Sequence, residues 1–357
     1  MPAPLVSVII DNYNYDRYLA QSIESALAQT YQRTEVIVVD DASTDGSRDV
    51  IRRYAGVVPV FKTDNAGQGS ALNAGFLASH GEIVIFLDAD DYLEPHAVAR
   101  VVSEWRPGTA KVQYRLAMVD ATGRVIDLFP PRDIRFDSGD VVPLLLRSGR
   151  YQTAVMSGNA FARKVLQRIL PIPEAEFRIS ADGYLVTLAP LLGQVHSIEE
   201  PLGVYRIHGR NAWATLELAA PERFRRLLQQ DFSRYRALSR KTAELGLEPP
   251  TDPGLHDWLH LENRICSLCV DPQGHLVPSD SRASLGLRGF SESQRDVRLT
   301  WRRRAMLAAW FLAAGLLPRR LSRALVIWRM APDARPWLLT KLLGLIRGPQ
   351  RHAPRVA

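Results

Sequence analysis

Two aspartates, Asp88 and Asp90, follow an apolar run at 82–87 and lie two positions apart. In an extended segment, residues i and i+2 point to the same side, so both carboxylates can face one bound species. Oxygen ligands of this kind suit Mg²⁺ or Mn²⁺, which commonly bridge one or two carboxylates to substrate phosphates. The pair therefore indicates a site for a divalent cation and a diphosphate. A polar loop in which Asp91 caps the next helix is the simpler alternative.

The elements that position these aspartates are read from hydrophobic spacing. Predicted strands cover 6–10, 35–39, 57–61 and 82–87, and helices are predicted between them over 18–30, 45–54 and 70–79. This alternation predicts a doubly wound α/β sheet with helices on both faces. In such sheets, ligands bind at the carboxyl ends of the strands. The polar clusters at 11–14, 40–45 and 88–91 all follow strands, so we expect them to converge on one crevice.

The later part of the chain shows a looser pattern. Further strands are predicted at 111–119, 194–198 and 202–207, and the chain from 221 onward is predicted to be helical, with loops at 248–254 and 278–289. We therefore expect two parts, an α/β domain over residues 1–215 and a mostly helical, basic region over 216–357.

The composition is that of an ordinary globular protein. The chain has 357 residues, 46% of them hydrophobic and 23% charged, which argues against a disordered or fibrous protein. Two cysteines cannot form a disulfide framework, so a cytoplasmic setting is expected. The N-terminus lacks the basic start of a signal peptide, and the longest apolar candidate, Ala305–Pro318, is too short to span a bilayer.

The net charge of +7 is unevenly distributed. Residues 298–357 contain 13 lysines and arginines and a single acid, Asp333, so the rest of the chain is mildly acidic. Arginines and tryptophans flank apolar stretches there, as in Trp301–Arg304 and Pro318–Arg320, a pattern typical of helices that lie on a membrane surface. A helical appendage packed on the body or on another subunit is the alternative. Nucleic-acid binding is not expected, because no reader module is present.

Four motifs, in order, carry a resemblance to a known family. They are VSVII followed by Asn-Tyr-Asn, VVDDASTD, NAGQGSALNAG and FLDADDYLEP. Together they resemble glycosyltransferase family 2, the inverting nucleotide-sugar transferases of GT-A fold, over roughly residues 5–210. The resemblance implies a doubly wound, Rossmann-like mixed sheet of GT-A type, here with a C-terminal helical appendage.

The resemblance also implies a pocket for the nucleotide base. Asp11 and Tyr13 would pack on the base. Asp40 would accept a hydrogen bond from a uracil ring, and Asp41 would lie beside it. The family usually has proline where Asp11 stands, which implies a more polar or differently shaped base pocket.

Further matching positions imply where the ribose, the phosphates and a metal would bind. Three residues would shape the loop and helix start near ribose and phosphate: Asn65, Gly67 and Asn73. Asp88 and Asp90 would bind the ribose and a metal–diphosphate, with Mg²⁺ or Mn²⁺ as the cofactor and Asp91 close to the metal. Arg206 or His208 would help to hold the diphosphate or the metal, with a purely structural His208 as the alternative.

Inversion at the sugar carbon requires a general base opposite the leaving group. The family usually places a Glu-Asp pair at the start of a helix, and the matching segment here is 179–185. Asp182 matches the aspartate, whereas Ala181 stands where the family has glutamate. Asp182 is therefore the predicted catalytic residue. The simpler alternative is that Asp182 only caps a helix over 183–192.

These implications predict an inverting glycosyltransferase. The donor would be a nucleotide sugar, most simply a UDP-sugar, and the acceptor a glycan or lipid-linked saccharide at the inner face of the cell membrane. Two alternatives stay open. A non-catalytic nucleotide-sugar-binding protein of the same fold is favoured by Ala181. A sugar nucleotidyltransferase is disfavoured, because the loop after the first strand lacks glycine and basic residues.

Overall fold

The computed structural model describes residues 3–209, 219–331 and Pro336. Its residues group into two compact units, Met1–Thr215 with Gln229–Asp257, and Leu216–Leu228 with Trp258–Ala357. The predicted division at 215/216 placed everything after it in one C-terminal region. In the structure, Gln229–Asp257 belongs to the first unit, where Ala237 and Leu238 are buried in its core.

The first unit is an α/β structure. Its strands are β1 (Val6–Asn12), β2 (Thr34–Asp40), β3 (Val57–Phe61), β4 (Ile83–Asp88), β5 (Tyr92–Leu93), β6 (Thr109–Val119), β7 (Val125–Phe129), β8 (Asn159–Ala162) and β9 (Gln194–Arg206). Its helices are α1 (Asp16–Leu27), α2 (Ser47–Arg52), α3 (Gln68–Ala78), α4 (Ala97–Ser103), α5 (Val142–Ser148), α6 (Arg163–Ile169) and α7 (Asp182–Leu188). The following helix, α8 (Pro221–Glu244), begins in the second unit and continues in the first.

The nine described strands form one mixed sheet. Its order is β3-β2-β1-β4-β8-β6-β9-β5, with β7 paired to β6. Strands β3, β2, β1 and β4 are parallel to one another, and β8 runs antiparallel to β4. The register places Asp11 opposite Asp88 and Asn12 opposite Asp40. The ends of three parallel strands therefore bring side chains that are distant in sequence into contact distance of one another.

Both faces of the sheet are covered, as the period-two alternation of the strands requires. In β4, the side chains of Ile83, Ile85 and Leu87 pack in one core, and those of Val84 and Phe86 pack in the other. Helices α1 and α4 cover the first face, and α3, α6 and α7 cover the second. The sheet is therefore doubly wound, as the sequence predicted.

One predicted break is absent. The sequence suggested two strands at 194–198 and 202–207, but β9 runs without interruption through Gln194–Arg206. Pro201 lies inside it, where the pairing with the long strand β6 shifts register at Tyr114–Leu116. An irregularity of this kind lets a strand accommodate a proline and continue.

The second unit is helical. Besides the start of α8 it contains α9 (Trp258–Val270), α10 (Arg282–Arg295), α11 (Trp301–Leu316) and α12 (Arg319–Met330). Among the residues that the structure describes, no helix combines the length and apolar character needed to cross a bilayer.

The predicted loop over 278–289 is wrong from Arg282 onward, because α10 begins there. Its glycines serve close packing rather than a turn. A Cβ atom on Gly286 would lie 2.8 Å from the backbone of Gly315, and one on Gly289 would lie 2.2 Å from the ring of Phe311. Glycine spacing alone does not distinguish this use from a loop.

We predict that Gly75→Ala destabilises the protein although alanine favours helices. Gly75 lies in α3 against β1, and an added Cβ would approach Ile9 to 2.3 Å and Val39 to 3.1 Å. Overpacking of this kind costs about 1–3 kcal/mol of the free energy of unfolding. Urea denaturation measures the change.

Gly183→Ala is the matched control, because an added Cβ meets nothing within 4 Å there and the residue lies in the first turn of α7. That variant should be neutral or more stable by up to about 1 kcal/mol. Equal stability of the two variants would contradict the close packing of α3 on β1.

Candidate active site

A cavity of about 580 Å³ lies at the carboxyl ends of β1, β2 and β4. Eight of the predicted site residues line it: Asp11, Tyr13, Asp41, Asn65, Gly67, Asp88, Asp90 and Asp182. Its wall also includes Gln68, Arg178 and Tyr205, which the sequence did not single out as site residues. The predicted convergence of distant polar clusters on one crevice is therefore present in the structure.

Four predicted residues are not part of the cavity wall: Asp40, Asn73, Asp91 and His208. Asn73 is buried, and its side chain both donates to the carbonyl of Ile172 (3.0 Å) and accepts from its N–H (2.8 Å). It thereby joins α3 to the segment that leads to Asp182, rather than facing the cavity.

Asp40 lies beneath the cavity instead of at its wall. Its carboxylate is fully buried and accepts hydrogen bonds from Asn12 Nδ2 (3.0 Å), the N–H of Ser43 (3.1 Å) and Arg48 Nε (2.8 Å). These bonds hold together the loops that follow β1 and β2.

The neighbouring Asp41 is the residue that reaches the wall. It accepts from the N–H groups of Ala66 (3.2 Å) and Gly67 (2.6 Å) and pairs with Lys62. Asp41 thus fixes the loop that precedes α3. Gly67 has a φ of 89°, and an added Cβ would lie 2.5 Å from the carbonyl oxygen of Arg178, so the loop requires glycine at this position.

The three aspartates that follow β4 form a compact cluster. One oxygen from each of Asp88, Asp90 and Asp91 lies within 4.8 Å of the others, and this is the one cluster of potential metal ligands found among the described residues. Asp91 Oδ2 accepts from Ser157 (2.6 Å) and Oδ1 from the N–H of Arg206 (2.9 Å). Asp88 and Asp90 line the cavity, whereas Asp91 does not, and both oxygens of Asp91 accept hydrogen bonds from the protein.

His208 contacts this cluster at Asp90 without being part of the cavity wall. Its Nε2 lies 2.9 Å from Asp90 Oδ2, and its ring packs 4.9 Å from Tyr18 and 5.7 Å from Tyr15 between centroids. The side chain is only 4% exposed. His208 therefore orients Asp90 and is in place to add a nitrogen ligand to an ion held there.

Burial and mutual repulsion raise the pKa values of the carboxylates around the cavity. The pKa of Asp11 rises from 3.8 to about 7, chiefly by burial and then by the charge of Asp90. The pKa values of Asp88 and Asp91 are also raised, again by burial first and by neighbouring aspartates second. No donor among the described residues reaches Asp11 Oδ1. Such a donor set, crowded with buried oxygens, fits a divalent cation.

Asp182 lies at the first turn of α7, on the same cavity as Asp88 and Asp90. The N–H of Gly183 donates to its Oδ1 (2.9 Å), and the preceding Ser180 has a left-handed φ of 60°. Burial raises the pKa of Asp182, while the positive charges of Arg234 and Lys111 oppose that rise. An aspartate in this state accepts a proton more readily than one in water.

Gln68 connects the two halves of the site. Its Nε2 donates to Asp88 Oδ1 (2.9 Å), and its Oε1 accepts from the N–H of Ala181 (3.0 Å). Its own N–H donates to the carbonyl of Arg178 (2.9 Å). One side chain thus sets the position of the cation-facing carboxylate relative to the segment that carries Asp182.

Sequence reasoning missed Gln68, Lys111 and Arg234. Gln68 lies inside the motif NAGQGSALNAG and was available from it. Lys111 is a fully buried lysine in the apolar strand β6, bonded to Thr153 (2.7 Å), and a charge inside an apolar strand was its signal. Arg234 lies on the long helix α8, whose sequence pattern gave no indication of the site.

Two other residues near the site also adopt left-handed backbone conformations without being glycine. Asn14 follows β1 with a φ of 61°, and Ala42 follows β2 with the same value. Asparagine tolerates this conformation, whereas alanine adopts it at a cost.

Sequence comparison with known proteins finds similarity in the N-terminal part of the chain. The family model described as "Glycosyl transferase family 2" matches residues 7–130. An uncharacterized glycosyltransferase of Nostoc sp. strain PCC 7120 is 40% identical over 213 residues, which are 58% of this chain and 66% of that protein. For the next two relatives, the aligned part spans 32% and 28% of their length.

Two solved structures share the fold. A mannosyltransferase of Pyrobaculum calidifontis in complex with GDP-Man and Mn²⁺ has a TM-score of 0.52 and 21% identity, covering 91% of this chain and 85% of that one. S. aureus TarS 1-349 in complex with UDP-GlcNAc has a TM-score of 0.51 and 14% identity, covering 93% of both chains. These likenesses confirm the predicted GT-A fold with its C-terminal helices.

We predict that Mn²⁺ raises the melting temperature, and more so at higher pH. Because Asp11 has a raised pKa in the folded state, the metal-free protein loses stability as the pH rises from about 4 to about 7. A bound cation offsets that lost stability at high pH. At a pH below the pKa of Asp11, protons compete with the cation for the carboxylates. Thermal unfolding with and without Mn²⁺ at about pH 5.5 and about pH 8 tests this prediction. At a hundredfold excess of Mn²⁺ over Kd, binding adds about 2.7 kcal/mol to the free energy of unfolding.

Asp90→Asn should abolish most of the Mn²⁺ effect, whereas Asp127→Asn, at an exposed carboxylate of β7, should leave it intact. A cation effect that is independent of pH, or that survives in Asp90→Asn, would contradict this assignment of the cation site.

We predict that Gln68→Leu weakens Mn²⁺ binding about 10- to 100-fold, the usual effect of removing a hydrogen bond to a metal ligand. Leucine keeps the volume but loses the bonds to Asp88 and to the N–H of Ala181. Titration of the melting temperature with Mn²⁺ gives the affinity. The exposed Gln194→Leu is the control, and the same affinity in both variants would show that Gln68 does not position Asp88.

Proposed function

Because the chain belongs to glycosyltransferase family 2 through residues 7–130, we propose that it transfers a sugar from a nucleotide-sugar donor to a saccharide hydroxyl, with inversion at the anomeric carbon. One observation carries this proposal. The carboxylates of Asp88 and Asp90, suited to a cation-bound diphosphate, share a single cavity with Asp182, a half-buried carboxylate at a helix start.

The proposed donor is a UDP-sugar. The cavity of about 580 Å³ has the size that small-molecule ligands occupy, and its lining between Tyr13 and Asn65 offers an aromatic face with polar groups beside it. The two solved structures of the same fold hold GDP-Man and UDP-GlcNAc, so nucleoside diphosphate sugars as a class support the proposal. Asp40 would act on the base only through Asn12 and Ser43, which it holds.

The proposed cofactor is Mg²⁺ or Mn²⁺. Asp88 and Asp90 would hold the ion, His208 lies against Asp90, and Asp91 is anchored behind them. When bound, the cation offsets the negative charge that develops on the departing diphosphate. The raised pKa values of Asp11 and Asp88 are consistent with this assignment, since they arise first from burial and second from the charge of neighbouring aspartates.

Asp182 is the proposed general base. The acceptor oxygen attacks the anomeric carbon while its proton passes to a carboxylate oxygen of Asp182. At the same time, the bond between that carbon and the β-phosphate oxygen breaks, and its electron pair leaves with the nucleoside diphosphate. Gly183 holds Oδ1 of Asp182, which leaves Oδ2 for the proton. Gln68 fixes the distance between this base and the donor side.

The proposed acceptor is a glycan or a lipid-linked saccharide, with the protein peripheral at the inner face of the cell membrane. Support comes from the basic C-terminal part of the chain, which carries 13 lysines and arginines after residue 297. A polyanionic membrane surface would bring such an enzyme close to lipid-linked saccharides.

We expect Asp182→Asn to lower the rate of sugar transfer about 10²- to 10⁴-fold while donor binding persists, because asparagine keeps the volume but cannot accept the proton. The donor is first identified by a thermal-shift screen of nucleotide sugars with Mn²⁺. Turnover with saccharide acceptors is then measured with and without EDTA.

Asp90→Asn should lose both donor binding and turnover, whereas Asp182→Asn should lose only turnover. The two variants therefore distinguish loss of the cation from loss of the base. Unchanged turnover in Asp182→Asn would remove that residue as the base. Donor binding without transfer to any acceptor would favour a non-catalytic binding protein, and release of pyrophosphate from a nucleoside triphosphate would favour a nucleotidyltransferase.

A further inference from the structure

The turn between α11 and α12 exposes apolar and basic side chains together. We call residues 316–323 the LLPRRL corner. Its leucines keep a large part of their surface exposed: Leu316 (59%), Leu317 (38%) and Leu321 (52%). Its arginines, Arg319, Arg320 and Arg323, are exposed as well. Apolar side chains that are contiguous and bordered by charge of one sign mark an interaction surface, unlike apolar residues scattered singly.

The arginines of this corner do not serve the helix they begin. Arg319 and Arg320 occupy the first turn of α12, where the positive end of the helix dipole disfavours cations. Within the described part of the chain, none of the three corner arginines forms an ion pair with an acid. Residues 297–332 contain no acidic residue at all. Positive charge at a position that costs stability suits a negatively charged partner.

The corner is also held in one shape. Arg282 donates to the carbonyl of Leu317 (2.8 Å) and to Ser322 Oγ (2.7 Å). The N–H groups of Leu321 (2.9 Å) and Ser322 (3.1 Å) donate to the carbonyl of Pro318. Because these particular groups are bonded internally, they lose no hydrogen bond to water in an apolar medium, and the turn needs little ordering to enter one.

We propose that the LLPRRL corner docks on an anionic lipid bilayer. The leucines enter the boundary between headgroups and acyl chains, and the arginines bind lipid phosphates around them. An anionic bilayer offers an apolar layer of acyl chains directly beneath negatively charged headgroups. The corner likewise presents leucines and arginines within one turn. The inference deepens the proposed function, and rests on it only for its purpose, which is to bring the cavity near a lipid-linked acceptor.

The test uses the full chain in sedimentation with vesicles. Equimolar phosphatidylcholine and phosphatidylglycerol vesicles should bind it, pure phosphatidylcholine vesicles much more weakly, and added salt should release it. The triple variant Arg319→Gln, Arg320→Gln, Arg323→Gln should bind about a hundredfold more weakly, from about fivefold for each basic residue near an anionic surface. The triple variant Leu316→Ser, Leu317→Ser, Leu321→Ser should bind at least about tenfold more weakly.

The matched control removes the same charge elsewhere, from three exposed arginines of the first unit: Arg52→Gln, Arg106→Gln and Arg124→Gln. Its binding should stay close to that of the unchanged chain, and thermal unfolding should confirm that every variant folds. Vesicle binding that survives in both corner variants, or that falls equally in the control, would overturn the proposal.

Two further outcomes are decisive. Light scattering could show that the unchanged chain is a dimer and that only the leucine variant is a monomer. If in addition neither the unchanged chain nor any variant binds vesicles, the corner is an interface between copies and the proposal fails. Nucleotide-sugar binding, measured by thermal shift, should be unchanged in the corner variants. A chain that binds nucleotide sugars but not vesicles loses only this inference, whereas one that binds vesicles but no nucleotide sugar loses only the proposed function.

Discussion

Electrostatic repulsion among buried carboxylates is the constraint on which the rest of the site depends. Parallel strands β1 and β4 end side by side, so their registers bring Asp11 and Asp88 together, and Asp90 and Asp91 follow directly. Burial and, second to it, the charges of neighbouring aspartates raise the pKa values of three of these groups. A fold that collects negative charge in this way is stable only because surrounding groups compensate for part of it, as Ser157 and the Arg206 N–H do for Asp91.

Compensation is graded across the cavity. Asp40 and Asp41 are almost fully supplied with donors, and they serve to shape the loops. Asp11 keeps an oxygen that no described donor reaches. Asp11 is thus less compensated than Asp40 and Asp41, which form the frame of the loops.

Much of this was predictable from the sequence, because it rests on local patterns. The alternation of strands such as 6–10 and 82–87 with helices gave the doubly wound sheet, and the rule that ligands lie at strand ends gave the convergence of the polar clusters. The sequence did not separate the positions of two adjacent acids, since nothing local tells Asp40 from Asp41. The difference arises from the pleat of β2, which turns one of them toward Arg48 and the other toward the Gly67 loop. The bridging role of Gln68 depends on a contact with residues more than a hundred positions away, which no local pattern contains. The glycines of α10 misled for the same reason, because their partners lie on another helix.

Ala42 bears on how far this protein can be improved by engineering. An alanine held at a φ of 61° stores conformational energy, typically about 1–2 kcal/mol, that a glycine would not. The residue lies directly after the two acids at the end of β2, so the neighbouring polar contacts fix its backbone. A glycine at this position would relieve that strain but would also loosen the loop that the Asp40 and Asp41 bonds define. Stability and a preorganised ligand site are thus in opposition at this residue.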